Sequence, residues 1–114
     1  MELSIIIVNH DNQDHLLRCL DSVYKNTPDL RLEIIVIDNN SQDQSLSLLE
    51  TYFQGVKIIK NERNFGFAKA ANQGIRQSTG NYILCLNNDT VVLATTINSL
   101  LNFMNSHVLF LERF

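Results

Sequence analysis

Three apolar runs in this chain stop abruptly on polar residues. Residues 3–8, 32–37 and 82–86 are dominated by aliphatic and aromatic side chains, and polar clusters follow them. Runs of this length and composition predict buried β-strands. We expect the run at 82–86, with Gly80 upstream, to be a central strand covered on both faces. A shorter apolar run at 56–60 predicts a further strand.

Helical periodicity occupies the first two intervals between these strands. Residues 13–25 place leucine and other apolar residues at helical spacing, with Asn12 available as the N-cap. The sequence Ser41-Gln42-Asp43-Gln44 matches a capping box, in which the serine and glutamine side chains satisfy backbone N–H groups. This motif predicts a second helix that ends near Gly55.

Two more helices are expected in the second half of the chain. The first follows the polar loop 61–67 and presents a face of small residues, Ala68, Ala70 and Ala71, ending at Gly80. The second covers residues 94–105 with apolar residues on one face. The last apolar residues, 108–111, predict an edge strand.

Strands that alternate with helices of about a dozen residues indicate the α/β class. The expected architecture is a Rossmann-like three-layer sandwich with a mainly parallel sheet and right-handed crossovers. The carboxyl ends of parallel strands meet at one edge of the sheet. The polar clusters at 9–12, 38–40 and 87–90 should therefore form one ligand crevice.

Composition narrows the class of protein. The 114 residues are 45% apolar and 18% charged, which is typical of one ordinary globular domain. A net charge of −3 with scattered basic residues argues against nucleic acid as a partner. Cys19 and Cys85 lack a paired spacing, so we expect both to be core residues in a reducing compartment.

No leader or membrane span is expected either. The first apolar run begins at Leu3, and no run approaches the roughly 20 residues of a transmembrane helix. We therefore expect a cytoplasmic chain without a transmembrane segment. The sequence leaves open whether the chain contacts the inner face of the membrane.

The candidate functional residues lie at the polar ends of the strands. Asp89 follows the run at 82–86, and such a carboxylate suits Mg²⁺ or Mn²⁺ held jointly with phosphate oxygens of a substrate. Asp38 can accept hydrogen bonds from a ribose or a base, and Asn9 can contact a base or sugar. The alternatives are that Asn88 and Asp89 simply form a turn and that Asp38 is a turn or helix N-terminal charge.

Several other functions lack the residues they require. The four glycines, Gly55, Gly66, Gly74 and Gly80, all lie outside the turn after the first strand, which argues against a dinucleotide-binding oxidoreductase. There is no Walker-type lysine loop and no nucleophile elbow. The segment Asn9-His10-Asp11 lacks the first aspartate of a haloacid-type phosphatase. The three histidines have no metal-ligand spacing, although His10 lies where it could line the crevice.

Four ordered motifs resemble one family. The chain is similar to the donor half of the family 2 glycosyltransferases with the GT-A fold, and most similar to their rhamnosyltransferase-like branch. The resemblance covers residues 2 to about 105. Its motifs are Ile7-Val8-Asn9-His10-Asp11, Val36-Ile37-Asp38-Asn39-Asn40-Ser41-Gln42-Asp43, the segment from Asn61 to Ala68 with Asn72 and Gly74, and Leu86-Asn87-Asn88-Asp89-Thr90.

This resemblance implies a nucleoside-diphosphate-sugar donor. Asp89 would be the metal-binding end of the family's DXD-type motif, whose first position is Asn87 here. His10 and Asp11 replace the commoner Tyr-Asn pair. The residues implied in binding the nucleotide sugar are Val8, Asn9, Asp38, Asn40, Asn64, Gly66, Phe67, Asn72, Asn87 and Asn88, with Asp89 for Mg²⁺ or Mn²⁺.

The implied reaction is a single inverting displacement at the anomeric carbon by a hydroxyl of a glycan or lipid-linked acceptor. A general base is expected in an acceptor-binding half, and Glu112, the one acid near the end of this sequence, is a poor candidate. We therefore expect residues 1–114 to be the nucleotide-sugar-binding half of a truncated enzyme. The alternative is a non-catalytic nucleotide-binding or assembly module. Uncovered apolar sheet surface also predicts a homo-oligomer.

Overall fold

The computed structural model describes residues 1–106 and confirms the α/β class. Four strands alternate with four helices in this range. The strands are β1 (Leu3–Asn9), β2 (Leu32–Asn39), β3 (Lys57–Asn61) and β4 (Tyr82–Asn87). The helices are α1 (Gln13–Lys25), α2 (Ser45–Tyr52), α3 (Phe67–Gln77) and α4 (Thr96–Ser106). The strand expected at 108–111 lies outside the described residues.

The strands form one parallel sheet in the order β3-β2-β1-β4. Successive residues of a strand point to opposite faces of the sheet. The sheet therefore has a separate apolar cluster on each face. Ile5, Ile7 and Val36 face the layer formed by α1, α2 and α4. Ile6 and Ile35 face Ala70 of α3 on the other side. The predicted three-layer sandwich is therefore confirmed.

The strand at 82–86 differs from its prediction as a buried central strand. Within residues 1–106, β4 is an edge strand that pairs with β1, and its side chains are half-buried or exposed. Cys85 is accordingly exposed, whereas Cys19 is buried on α1 as expected. The apolar run was correctly assigned as a strand, but its composition cannot distinguish a central strand from an edge strand.

Two helix boundaries were also predicted wrongly. Ser41 and Gln44 do not form a capping box, because α2 begins at Ser45 and its N-cap, Gln44, makes no side-chain capping bond. Helix α3 ends at Gln77 with Ser78 as its C-cap, so Gly80 does not end it. Gly80 instead lies where a Cβ atom would be 2.5 Å from the backbone nitrogen of Ser4. A close backbone contact therefore requires glycine there.

A buried carboxylate ties together the amino ends of the strands. Glu33 of β2 is 5% exposed; it accepts hydrogen bonds from Ser4 Oγ at 2.5 Å, from Lys57 Nζ at 2.7 Å and from the backbone N–H of Thr79. Burial by itself would raise the pKa of Glu33, but these hydrogen bonds outweigh it and lower the pKa to about 2. Glu33 is therefore a structural anion at the end of the sheet opposite the polar crevice.

No helix among the described residues is both long enough and apolar enough to span a bilayer.

Candidate functional site

The strand register brings the three polar clusters to one edge of the sheet. Asn9 of β1 pairs with Asp38 of β2, and Val8 pairs with Asn87 of β4. Asn39 pairs in turn with Asn61 at the end of β3. The polar residues that end the strands are therefore brought together at the carboxyl edge of the sheet.

Asn9 is the centre of this edge. Its side chain is fully buried, and its Nδ2 donates to Asp38 Oδ1 at 3.1 Å and to Ser41 Oγ at 3.3 Å. Its Oδ1 accepts a hydrogen bond from Asn88 Nδ2 at 2.9 Å, and Asn12 Nδ2 donates to Asn88 Oδ1 at 3.4 Å. One buried amide thus links the ends of β1, β2 and β4, because an asparagine side chain donates and accepts at the same time.

Asp38 fixes the loop that follows β2. It is 1% exposed, and it accepts hydrogen bonds from the Ser41 backbone N–H at 2.9 Å and from Ser41 Oγ at 2.7 Å, besides the bond from Asn9. Its carboxylate is therefore satisfied from within the protein. In this structure Asp38 orders the crevice through Asn9 and Ser41.

The loops after β1 and β2 are also joined directly. Asp11 Oδ1 accepts from the backbone N–H of Gln42 at 2.5 Å and of Asp43 at 3.2 Å, and Ser41 Oγ accepts from the backbone N–H of Asp11 at 2.9 Å. Asp11 and Asn40 both adopt left-handed backbone conformations, with φ of 49° and 58°. Asparagine and aspartate tolerate this region better than other non-glycine residues.

Asp43 completes this connection between the loops. Its carboxylate accepts from the Gln13 backbone N–H at 3.1 Å and from Ser45 N and Oγ at 2.9 and 2.6 Å. Burial opposes its charge, but the bonds from Ser45 and Gln13 outweigh burial and lower the pKa of Asp43. The roles of Asp11, Ser41 and Asp43 in organising the site were not predicted, because each side chain also bonds to a backbone N–H of the other loop.

His10 lies at the same edge of the sheet, directly after β1. Its Nδ1 is 2.7 Å from the backbone oxygen of Asn39. A carbonyl oxygen can only accept, so Nδ1 carries a proton. Its Nε2 lies 3.4 Å from Asp11 Oδ2, and both side chains are about two-fifths exposed. His10 therefore presents an oriented ring at the rim of the site.

The loop before α3 reaches the same edge. Gly66 has φ of 81°, a conformation that glycine adopts without strain, and its N–H donates to Asn64 Oδ1 at 2.9 Å. Its carbonyl oxygen accepts from Asn39 Nδ2 at 3.2 Å, which anchors the loop to β2. Phe67 begins α3 and is 54% exposed. Asn72 is exposed on α3, and no hydrogen bond of the described residues joins it to the cluster.

Basic and amide side chains flank this loop. The Arg63 guanidinium and the Lys69 ammonium lie 5.1 Å and 4.3 Å from the ring centre of Phe65. Asn61 and Gln73 exchange hydrogen bonds of 2.7 and 2.9 Å, which joins the end of β3 to α3. Asn61, Arg63 and Phe65 belong to the sequence motif from Asn61 to Ala68, whereas the contacts of Lys69 and Gln73 with this loop were not predicted.

Asp89 lies in the turn after β4. The Thr90 backbone N–H donates to the carbonyl oxygen of Asn87 at 3.0 Å, so Asn88 and Asp89 form the turn that the alternative interpretation expected. Asp89 is exposed, and no described residue forms a hydrogen bond or ion pair with its side chain. Burial, and secondarily the charge of Asp89, raise the pKa of the Cys19 thiol to about 11. Asp89 is therefore an available carboxylate beside the buried cluster.

The side chains available as metal ligands determine which kind of metal site can form here. Among the described residues no three His, Cys, Asp or Glu side chains cluster so that they could hold a metal ion by themselves. One free carboxylate nevertheless fits Mg²⁺ or Mn²⁺ when substrate phosphates supply further oxygens. The residues present therefore fit an ion that binds together with a phosphorylated ligand.

Comparisons with known proteins agree with the observed fold. The structure of S. aureus TarS 1–349 matches with a TM-score of 0.83 and 26% identity, covering 94% of this chain and 33% of that one. The same protein in complex with UDP gives the same values. The chain thus spans about a third of the length of that structure. A comparison with curated proteins found no match.

A second solved structure supports the fold. Mannosyltransferase PcManGT from Pyrobaculum calidifontis, in complex with GDP-Man and Mn²⁺, matches with a TM-score of 0.74 and 22% identity over 84% of this chain and 30% of that one. The expected rhamnosyltransferase-like branch stays a prediction. The architecture is that of the GT-A glycosyltransferases, and the model "Glycosyl transferase family 2" matches residues 4–109. The chain belongs to glycosyl transferase family 2.

Proposed function

We propose that residues 1–114 form the donor-binding part of a glycosyltransferase that takes a nucleoside-diphosphate sugar. The observation that carries this proposal is the buried Asn9 amide, which connects Asp38 at the end of β2 to Asn88 beside Asp89 at the end of β4. A rigid edge with one available carboxylate suits a ligand that combines a nucleoside, a diphosphate and a cation. TarS in complex with UDP supports this choice of ligand class.

In this proposal the loops after β1 and β2 form the nucleoside side of the site. Asp38, Asn9 and Ser41 hold each other in place, so neither loop must reorganise when the ligand binds. Such preorganisation lowers the entropic cost of binding. Val8, Asn40 and the oriented His10 ring lie at or beside this edge, within reach of a base or ribose.

The loop before α3 forms the opposite side. Asn64 and Gly66 shape the turn, and Phe67 exposes its ring at the first position of the helix. We assign this side to the sugar or diphosphate, with Asn72 as a further polar contact from α3. Asn87 and Asn88 position the turn that presents Asp89.

Asp89 would hold Mg²⁺ or Mn²⁺, and the bound ion would supply positive charge to the leaving diphosphate. PcManGT in complex with GDP-Man and Mn²⁺ supports metal use in this fold. Transfer would proceed with inversion onto a hydroxyl of a glycan or lipid-linked acceptor. The general base and the acceptor site lie outside what we assign to the described residues.

Calorimetry tests the donor site directly. We expect UDP or dTDP to bind the chain in the presence of Mn²⁺ and to lose that metal-dependent affinity in Asp89→Asn. The matched control is Asp21→Asn, since Asp21 is an exposed carboxylate on α1 whose partner is Lys25 at 3.0 Å. Both variants should give the far-UV circular dichroism spectrum of the parent chain, because both side chains are exposed.

The outcomes separate the candidate functions. Equal binding by the parent chain and Asp89→Asn would contradict the metal role, and an absence of nucleotide binding would contradict the donor site. Hydrolysis of a UDP-sugar by the chain would show that it is catalytic. Binding without hydrolysis or transfer would favour the non-catalytic nucleotide-binding alternative.

Self-association is a further part of the proposal. Ile83, Leu84, Leu100 and Met104 line an apolar groove beside β4, the edge strand of the described sheet, and Leu100 is 47% exposed. Apolar side chains grouped in this way often lie in protein interfaces. Light scattering of the purified chain should show a dimer or larger assembly, and a monomer at micromolar concentration would contradict it.

A further inference from the structure

A polar groove lies at the amino edge of the sheet, at the end opposite the proposed donor site. Its cavity has a volume of about 380 Å³ and lies between α4 and the amino ends of β1, β2 and β4. Six polar residues dominate its lining and define what we call the amino-edge groove: Glu2, Arg31, Asn81, Asn98, Asn102 and Asn105. A cavity of this volume is at the lower end of the range of small-molecule sites, about 300–1,000 Å³.

Most of the amide groups in this groove have unused hydrogen-bonding capacity. Within residues 1–106, the side chains of Asn81, Asn98 and Asn102 are exposed and form no hydrogen bond with protein atoms. Asn105 Oδ1 accepts from the Tyr82 hydroxyl at 3.0 Å, which leaves its Nδ2 available. Each free amide offers two donors and an acceptor. The groove therefore presents both donors and acceptors to any ligand that enters it.

The placement of these amides on α4 is unusual for a helix face exposed only to water. Asn98, Asn102 and Asn105 recur at spacings of four and three residues, so they share one side of the helix. Asparagine is a weak helix former, and exposed helix positions are more often occupied by lysine or glutamate. Helix α4 contains no charged residue in its 11 positions. A ligand that bonds the amides would account for this composition.

The charges of the groove indicate a neutral ligand. Its lining contains one acid, Glu2, and one base, Arg31, so the formal charge of the lining is balanced. Glu2 Oε2 accepts from the Arg31 backbone N–H at 3.3 Å, which keeps the two residues adjacent. Phosphates and other anions require an excess of donors or positive charge. A hydroxyl group both donates and accepts, as a free amide does.

From these observations we propose that the amino-edge groove binds a neutral saccharide. The hydroxyl groups of the sugar pair with the free amides of Asn81, Asn98 and Asn102. Leu30 and Leu101, which also line the cavity, contact the apolar face of the sugar ring. The groove and Asp89 lie at opposite ends of the strands, about 20 Å apart for a seven-residue strand. This inference does not depend on the proposed donor site.

NMR titration of the full 114-residue chain with maltose, cellobiose and N,N′-diacetylchitobiose tests this inference. We expect at least one of these disaccharides to cause saturable shifts of the side-chain amide signals of Asn98 and Asn102. The double variant Asn98→Ala/Asn102→Ala should bind on the order of tenfold more weakly, since it removes two hydrogen-bonding groups. Alanine is a better helix former, so α4 should persist in this variant.

Two controls locate the site. Gln54→Ala changes an exposed amide between α2 and β3 and should leave saccharide affinity unchanged. Saturating UDP with Mn²⁺ should not displace the disaccharide. Displacement by UDP, equal affinity of the double variant, or the absence of saturable shifts with all three sugars would each overturn the proposal. Tighter binding of glucose 6-phosphate than of the neutral sugars would overturn the assigned ligand class.

Discussion

Asn9 and Asp38 occupy paired register positions on neighbouring parallel strands, and their side chains are joined by a hydrogen bond of 3.1 Å from Nδ2 to Oδ1. Both side chains are almost completely buried. A buried carboxylate is stable only when its oxygens are hydrogen-bonded or paired with charge. The same contact that orders the proposed donor site therefore also contributes to folding.

Replacing Asn9 with alanine should destabilise the protein and weaken nucleotide binding together. The variant leaves Asn88 without its acceptor and Asp38 without one donor, so we expect a loss of about 3 kcal/mol in the free energy of unfolding. Urea denaturation measures this loss. Gln77→Ala, which changes an exposed side chain at the end of α3, should stay within about 0.5 kcal/mol of the parent. An equal effect of the two substitutions would refute the central role of Asn9.

Ser41 and Gln44 distinguish the observed loop from a capping box. Ser41 Oγ bonds to Asp38 and accepts from the Asp11 backbone N–H, whereas the Gln44 side chain forms no hydrogen bond with a described residue. Ser41→Ala should therefore lower the free energy of unfolding by about 1–2 kcal/mol. Gln44→Ala should change it by less than about 0.5 kcal/mol. A capping box would instead make both variants lose similar stability in urea denaturation.

Replacing Gly80 and Gly55 with alanine should have opposite effects on the stability of the protein. A Cβ at Gly80 would lie 2.5 Å from Ser4 N and 2.8 Å from the Leu3 carbonyl carbon, both backbone atoms that cannot move aside easily. Gly80→Ala should cost about 3 kcal/mol or more. A Cβ at Gly55 meets nothing within 4 Å, so Gly55→Ala should be neutral or stabilising by up to about 1 kcal/mol. Thermal unfolding of the two variants compares them, and a tolerated Gly80→Ala would show that β1 and β4 are less closely packed.

The protein should become less stable in acid because Glu33 becomes protonated there. Its pKa is lowered from 4.5 to about 2 in the folded chain, so the unfolded chain binds a proton more readily. The stabilisation is therefore complete above the unfolded pKa and is lost as the pH falls from about 5 towards 2, a change on the order of 3 kcal/mol. Urea denaturation at a series of pH values measures this dependence.

Two variants isolate this effect. Glu33→Gln should be less stable at neutral pH and should show a shallower decline in acid, because it removes the titrating group. Glu50→Gln is the control, since Glu50 forms an exposed ion pair with Lys60 at 2.9 Å and should contribute less than about 1 kcal/mol. If the stability of Glu33→Gln falls in acid as steeply as that of the parent chain, the loss comes from other carboxylates, such as Asp43.

The alternation of apolar runs and helical periodicity predicted most of the fold. Helix α1 begins and ends at the predicted residues, and the four strands within residues 1–106 were found within two residues of their predicted bounds. The pattern was reliable because burial of one helix face imposes a helical period on the sequence, and burial of both strand faces produces a continuous apolar run. The grouping of Asn9, Asp38 and Asp89 at one edge also followed, since parallel strands share the direction in which they end.

Other features depended on contacts between segments far apart in the chain. Among residues 1–106, no strand pairs with β4 on the side away from β1, and Cys85 of this strand is exposed. Ser41 was misassigned because its hydroxyl bonds back to Asp38, and because it accepts the backbone N–H of Asp11 from a loop 30 residues away. The sequence alone thus determined the elements, their order and the edge where polar residues collect, because these depend on local period and chain direction. Only the tertiary structure decided which of those polar groups are satisfied within the protein and which, like Asp89, are available to a ligand, because hydrogen bonding between loops depends on three-dimensional distance.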